Sequence, residues 1–129
     1  MTFSLDTSAY SDFNRGDKRL REWFVAGNEI LISQVVIGEL RAGFANGNRR
    51  EVNEKLLQKF LDSPIIRTVT LTDKTTKLYA EIYLRLRMAG TPIGTNDMWI
   101  AAMSLEHDVP LLTTDTDFSY VPDLMLVKI

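Results

Sequence analysis

The chain contains no cysteine. That excludes disulfides, thiol catalysis and cysteine-based zinc sites, and it suits a reducing cytosol. His107 is the only histidine, which argues against a histidine-dependent triad or a multi-histidine metal site. No apolar run approaches the ~20 residues that a membrane span needs. The opening Met1-Thr2-Phe3-Ser4-Leu5-Asp6 has no basic region and no long apolar stretch of the signal-peptide kind. The expectation is a cytoplasmic protein without a membrane segment. An excess of one charge sign is also missing, with 15 bases against 17 acids and a net charge of −2. Taken alone, that balance argues weakly against nucleic-acid binding. Distribution matters more than the sum. If four acids gathered on a cation, the rest of the surface would be mildly basic.

The remaining composition is ordinary for a globular chain, 45% hydrophobic and 25% charged over 129 residues. This length fits one domain, residues 1–129, able to bury a sizeable core. Nothing reads as a repeat, a linker or a low-complexity stretch.

Short β-type runs alternate with helical ones. Thr2 to Leu5 reads as an opening strand. A helical region follows Asp6, with Asp17 to Ala26 its clearest part, because Leu20, Trp23 and Phe24 share a face. Glu29 to Ile32 is a second strand. Ser33 can cap a helix running to about Asn46. Asn48 can cap the next, whose stripe is Val52, Leu56, Leu57, Phe60 and Leu61 and which Ser63-Pro64 ends. Ile65 to Leu71, rich in β-branched residues, is a third strand. Thr72 can cap a long helix to Ala89, ended by Gly90-Thr91-Pro92. Asn96 is placed to cap Asp97 to His107, a helix apolar on most sides and so expected to pack centrally. Leu111 to Thr113 and Leu124 to Val127 complete a set of about five strands. The pattern predicts an α/β domain with a mainly parallel sheet and helices on both faces. Sites in such folds form beyond the carboxyl ends of the strands.

Acids stand where that rule looks for them. Asp6 follows the first strand, and Asp115 follows the fourth with Asp117 close behind. Glu39 lies among Val35, Val36, Ile37 and Leu40, and Asp97 beside Met98, Trp99 and Ile100. An unpaired carboxylate on an apolar element is costly to bury. Several converging carboxylates repel one another unless a cation joins them. With no cysteine or multiple histidine available, oxygen ligation favours Mg²⁺ or Mn²⁺ over Zn²⁺. Each acid also has an ordinary reading: Asp6 as a helix cap, Asp97 as a first-turn acid on the helix dipole, Glu39 as the ion-pair partner of Arg41 or Arg85, Asp117 as a turn residue.

Four motifs occur in order: Leu5-Asp6-Thr7-Ser8; Ser33 with Gly38-Glu39-Leu40; Gly90-Thr91-Pro92-Ile93-Gly94-Thr95-Asn96-Asp97 with Trp99-Ile100-Ala101-Ala102; and Leu112-Thr113-Thr114-Asp115 with Asp117-Phe118. Together they resemble a PIN domain, and within it the VapC-type ribonuclease toxins of prokaryotic toxin–antitoxin pairs. The resemblance spans essentially the whole chain. It implies a parallel sheet of about five strands between helices, and a metal-dependent endoribonuclease that binds Mg²⁺ or Mn²⁺ through an acid cluster. By position, Asp6, Glu39, Asp97 and Asp115 match that cluster. Thr7 and Thr113 match small hydroxyl positions beside it. Asp115 fits the fourth position, and Asp117 would either support the ligands without touching the ion or take that fourth position instead. The resemblance further implies an RNA substrate, a cognate antitoxin and a homodimer. Water, rather than the ribose 2′-hydroxyl, would be the nucleophile, leaving 5′-phosphate and 3′-hydroxyl ends. Arg15, Lys18, Arg19, Arg41, Arg49 and Arg50 are candidates for contacts to the RNA backbone, and His107 has no catalytic part. Two other readings stand beside this one. A receiver-like signalling domain would use an aspartate after a central third strand, here Leu71-Thr72-Asp73. An inactive PIN scaffold would bind RNA or protein without cleaving. The missing Gly-x-Gly-x-x-Gly disfavours a dinucleotide-binding oxidoreductase.

Overall fold

The computed structural model describes residues 1–129. Four strands form one sheet: β1 (Thr2–Leu5), β2 (Glu29–Ser33), β3 (Ile66–Val69) and β4 (Leu111–Leu112). Their order is β3-β2-β1-β4, and every pairing is parallel. Parallel strands need crossovers, and six helices supply the layers around the sheet. These are α1 (Thr7–Asn14), α2 (Lys18–Arg21), α3 (Gln34–Ala45), α4 (Arg50–Leu61), α5 (Asp73–Ala89) and α6 (Thr95–Glu106). No helix is long and apolar enough to cross a membrane. The fifth expected strand is reduced to one parallel bridge between Leu111 and Leu126. Two 2.9 Å backbone bonds hold that segment to Leu111, from Leu111 N to Met125 O and from Val127 N to Leu111 O.

Both faces of the sheet are covered, so β2 carries the apolar run Ile30-Leu31-Ile32, and in the alternating β1 the polar Ser4 is buried as well, its hydroxyl paired with that of Ser104 at 2.6 Å. Phe3, Leu5, Ile30 and Ile32 join the main core, while Leu31 turns to the opposite face with Val69 and Met103. α6 is central as expected, burying Met98, Ile100, Ala101, Ala102 and Met103.

Local structure departs from the sequence reading at three helices, one in its length and two at their starts. Asp17 to Ala26 is not one helix. Only Lys18–Arg21 is helical, and tight turns continue the chain, with Trp23 N bonded to Leu20 O at 3.1 Å and Phe24 N to Arg21 O at 3.3 Å. The shared apolar face is real, because Leu20, Trp23 and Phe24 all pack on the main core. Asn48 does not cap α4; Arg49 precedes that helix, with no side-chain cap bond. Asn96 does not cap α6, which starts at Thr95 after Gly94. Ser33 and Thr72 do cap their helices, accepting from Val36 N and Thr75 N.

Candidate functional site

β1 and β4 run side by side with Leu5 opposite Leu112. Residues leaving these strands therefore emerge at the same rim of the sheet. Asp6 leaves β1 there and is 2% exposed. Its carboxylate caps α1, accepting from Ala9 N at 2.9 Å. It also accepts from the Ser8 hydroxyl at 2.8 Å and from the Thr113 hydroxyl at 2.6 Å. The cap and site readings of Asp6 are thus one arrangement. Burial raises its pKa, the three hydrogen bonds oppose that, and the Asp115 charge adds to it.

β2 ends beside β1 and delivers α3, which carries Glu39 to the same rim. The Thr7 hydroxyl donates to Glu39 Oε1 at 2.7 Å, and the Asn96 amide donates to Oε2 at 3.3 Å. Glu39 is therefore not an ion-pair partner of Arg41 or Arg85, which hold Glu54 and Asp123 instead. Asn96 has a different duty from the capping one read in sequence: it ties the start of α6 to Glu39.

Asp97 lies in the first turn of α6. Carboxylate oxygens of Asp97, Asp115 and Asp117 all lie within 4.8 Å of one another. Asp117 combines its two sequence readings. Its amide donates to Asp115 Oδ1 at 2.9 Å, a turn contact, while its carboxylate joins the cluster. Asp6 and Glu39 stand outside that tight trio but within its electrostatic reach. The Asp97 carboxyl is pushed up to about 6, first by burial and then by the charges of Asp115, Glu39, Asp6 and Asp117. No lysine or arginine forms a salt bridge with any of the five acids. A set of oxygen donors with uncompensated negative charge fits a hard divalent cation. Asp97, Asp115 and Asp117 are the residues able to hold it most directly, with Asp6 and Glu39 alongside.

Three of the basic candidates are already engaged: Arg15 with Asp12, Arg19 with Asp17 and Arg41 with Glu54. Lys18, Arg49 and Arg50 are exposed and in no salt bridge. A groove of about 520 Å³ runs along the site between α3 and the start of α6, lined by Gln34, Val35, Gly38, Glu39, Ala42 and Asn96. His107 ends α6, its Nδ1 3.0 Å from Met103 O and away from the acids. The receiver-like reading fails on topology. β3 is the edge strand, and Asp73 pairs with Lys77 on the α5 surface.

Of the hydroxyls that organise the rim, Thr7 and Thr113 are the ones the sequence marks, bonding Glu39 and Asp6, while sequence reasoning missed two others. Ser8 and Thr114 carry no signal of their own. The Ser8 position, two residues after a strand-end aspartate, is the one hint, since a hydroxyl there can turn back onto the carboxylate.

Comparison with known proteins places these features in a family. A ribonuclease VapC4 from Mycobacterium tuberculosis is 29% identical over 104 residues, 81% of this chain and 80% of that protein. A ribonuclease VapC2 from Rickettsia felis is 30% identical over 106 residues, 81% of this chain and 78% of that protein. In three dimensions the fold is similar to a chain in the crystal structure of VapBC2 from Rickettsia felis bound to a promoter DNA fragment. That match has a TM-score of 0.85 at 28% identity and covers 98% of both chains. A sequence model of the PIN domain matches residues 4–124, and the chain belongs to the PIN domain family.

Proposed function

We propose that this protein is a VapC-type endoribonuclease, the toxin of a toxin–antitoxin pair, and that residues 1–129 are its nuclease domain. The observation that carries the reading is the trio of Asp97, Asp115 and Asp117 carboxylates within 4.8 Å, without a basic partner. The relatives named as ribonucleases support it, and the VapBC2 complex supports a cognate antitoxin as partner. The cation is Mg²⁺ or Mn²⁺, and the setting is the cytoplasm. Exposed Tyr83, Leu84 and Met88 on α5 offer an apolar surface for a homodimer.

Hydrolysis of a phosphodiester puts extra charge on the phosphate and needs an activated water. A divalent cation in the site supplies both, by offsetting that charge and by acidifying a water. The residues of this chain do the rest. Asp97, Asp115 and Asp117 would hold the cation, and the buried Asp6 would add to the negative field around it. Glu39 is fixed by Thr7 and Asn96, so it faces the site in one orientation and can take a proton through water. The groove beside Glu39 admits the RNA strand, and Lys18, Arg49 and Arg50 are free to meet its phosphates.

The test is cleavage of total RNA by the purified protein with Mg²⁺ or Mn²⁺, with EDTA, and with Asp97→Asn. The expected outcome is cleavage with metal, leaving 5′-phosphate ends, and none with EDTA or the variant. Equal cleavage under all conditions would refute the metal mechanism.

A further inference from the structure

β4 is two residues long, so the acid-bearing segment leaves the sheet at once. From Thr113 onward no strand ladder fixes it, yet Asp115 and Asp117 must meet Asp97 from this segment. Helix α1 provides the grip. Ser8 and Asp12 are four residues apart, hence on one face of the helix. Both reach the same residue of the segment, Thr114. Ser8 Oγ accepts from Thr114 N at 3.3 Å, beside the Thr113 bond to Asp6. Asp12 Oδ2 accepts from the Thr114 hydroxyl at 2.6 Å. Arg15 pairs with the other oxygen of Asp12, which balances its charge and leaves Oδ2 turned to Thr114. The next links run straight to the site. Asp115 N donates to Thr113 Oγ1 at 3.0 Å, and Asp117 N donates to Asp115 Oδ1 at 2.9 Å.

We propose that Asp12 is a positioning residue: through the Thr114 hydroxyl it sets where the Asp115 and Asp117 carboxylates stand relative to Asp97. This rests on the nuclease reading above. Arg15 offsets the Asp12 charge, so the carboxylate acts here through its short bond to the Thr114 hydroxyl. Groups that orient metal ligands without touching the ion change affinity by about 10–100-fold when removed.

The experiment uses the full chain and titrates Mn²⁺ by calorimetry, with RNA cleavage against Mn²⁺ concentration and thermal melting in parallel. Thr114→Val and Asp12→Ala remove the clasp from opposite ends. Each is expected to weaken Mn²⁺ binding by about tenfold and to move half-maximal cleavage to correspondingly higher Mn²⁺. The double variant is expected to be no worse than either single one, because both break the same bond. Thr114→Ser and Asp12→Asn keep a donor and an acceptor, and are expected to bind Mn²⁺ much as the parent does. Unchanged Mn²⁺ affinity in Thr114→Val and Asp12→Ala would overturn the proposal. So would independent, multiplying losses in the double variant, or a Thr114→Ser defect as large as that of Thr114→Val. If the parent protein binds Mn²⁺ and cleaves RNA while the variants match it, only this inference fails. If the parent does neither, the nuclease reading fails and takes this inference with it.

Discussion

Asp97 is held at an energetic disadvantage. Burial and four neighbouring acids push its carboxyl up to about 6 from an ordinary value of 3.8. A carboxyl with a raised folded-state pKa binds its proton more tightly folded than unfolded. Its contribution to stability therefore grows as pH falls from about 6 toward 4 and is lost as pH rises through 6. The metal-free protein should gain stability from this group on going from pH 7 to pH 5, read by thermal melting at both values. A loss traceable to Asp97, by comparison with Asp97→Asn, would contradict burial and acid repulsion as the cause of the shift. Added Mg²⁺ or Mn²⁺ should stabilise at pH 7 and lose that effect below pH 6, since protons and cation compete for the same oxygens. Asp97→Asn should melt higher than the parent without metal, by about 1 kcal/mol, because it removes one of the repelling charges. It should no longer respond to the cation. At this scale much of the candidate site was legible. Asp6, Glu39, Asp97, Asp115 and Asp117 are all recognisable as acids on apolar or strand-end positions. The clasp of Asp12 with Thr114 was not, because a surface aspartate on a helix and a threonine in a loop are ordinary in any sequence.

Among the elements, caps were legible where a hydroxyl stood at the junction and illegible where asparagine did. Ser33 and Thr72 cap their helices through short side chains aimed back at the first-turn amides. Asn96 cannot cap α6 because the helix already begins at Thr95 after Gly94, and its side-chain amide instead donates to Glu39 Oε2 at 3.3 Å. Local pattern could not show this, since the partner lies 57 residues away. The same limit explains the overlong reading of Asp17 to Ala26: an i, i+3, i+4 face is satisfied equally by a short helix followed by tight turns. Thr72 has a second task. Its hydroxyl donates to Glu106 Oε2 at 2.6 Å, and Thr75 donates to the other oxygen, so the start of α5 is tied to the end of α6. Thr72→Ala loses the cap and one of these bonds, and should cost about 1–2 kcal/mol in chemical denaturation. A change below the precision of that measurement would show that the α5 to α6 tie carries no stability.

Across the whole molecule, the order β3-β2-β1-β4 explains why residues far apart in sequence share a rim. β1 at the centre, with β2 and β4 on either side, sends Asp6, the Glu39 helix and Asp115 out of one edge of the sheet. α6 then brings Asp97 across that edge, its apolar body buried and its first turn facing the site. The alternation of strands and helices made the parallel sheet legible from sequence. The pairing of β1 with β4 was not directly readable, because β4 is two residues long and holds its place through non-local contacts. Chain topology thus gathers these carboxylates at one rim, where the proposed function has them share a hard cation. The most direct test is a crystal grown with Mn²⁺ and measured for anomalous scattering. The predicted result is one or more strong peaks bounded by Asp97, Asp115 and Asp117, absent from crystals of Asp97→Asn. A Mn²⁺-saturated crystal with no peak among those residues would contradict it.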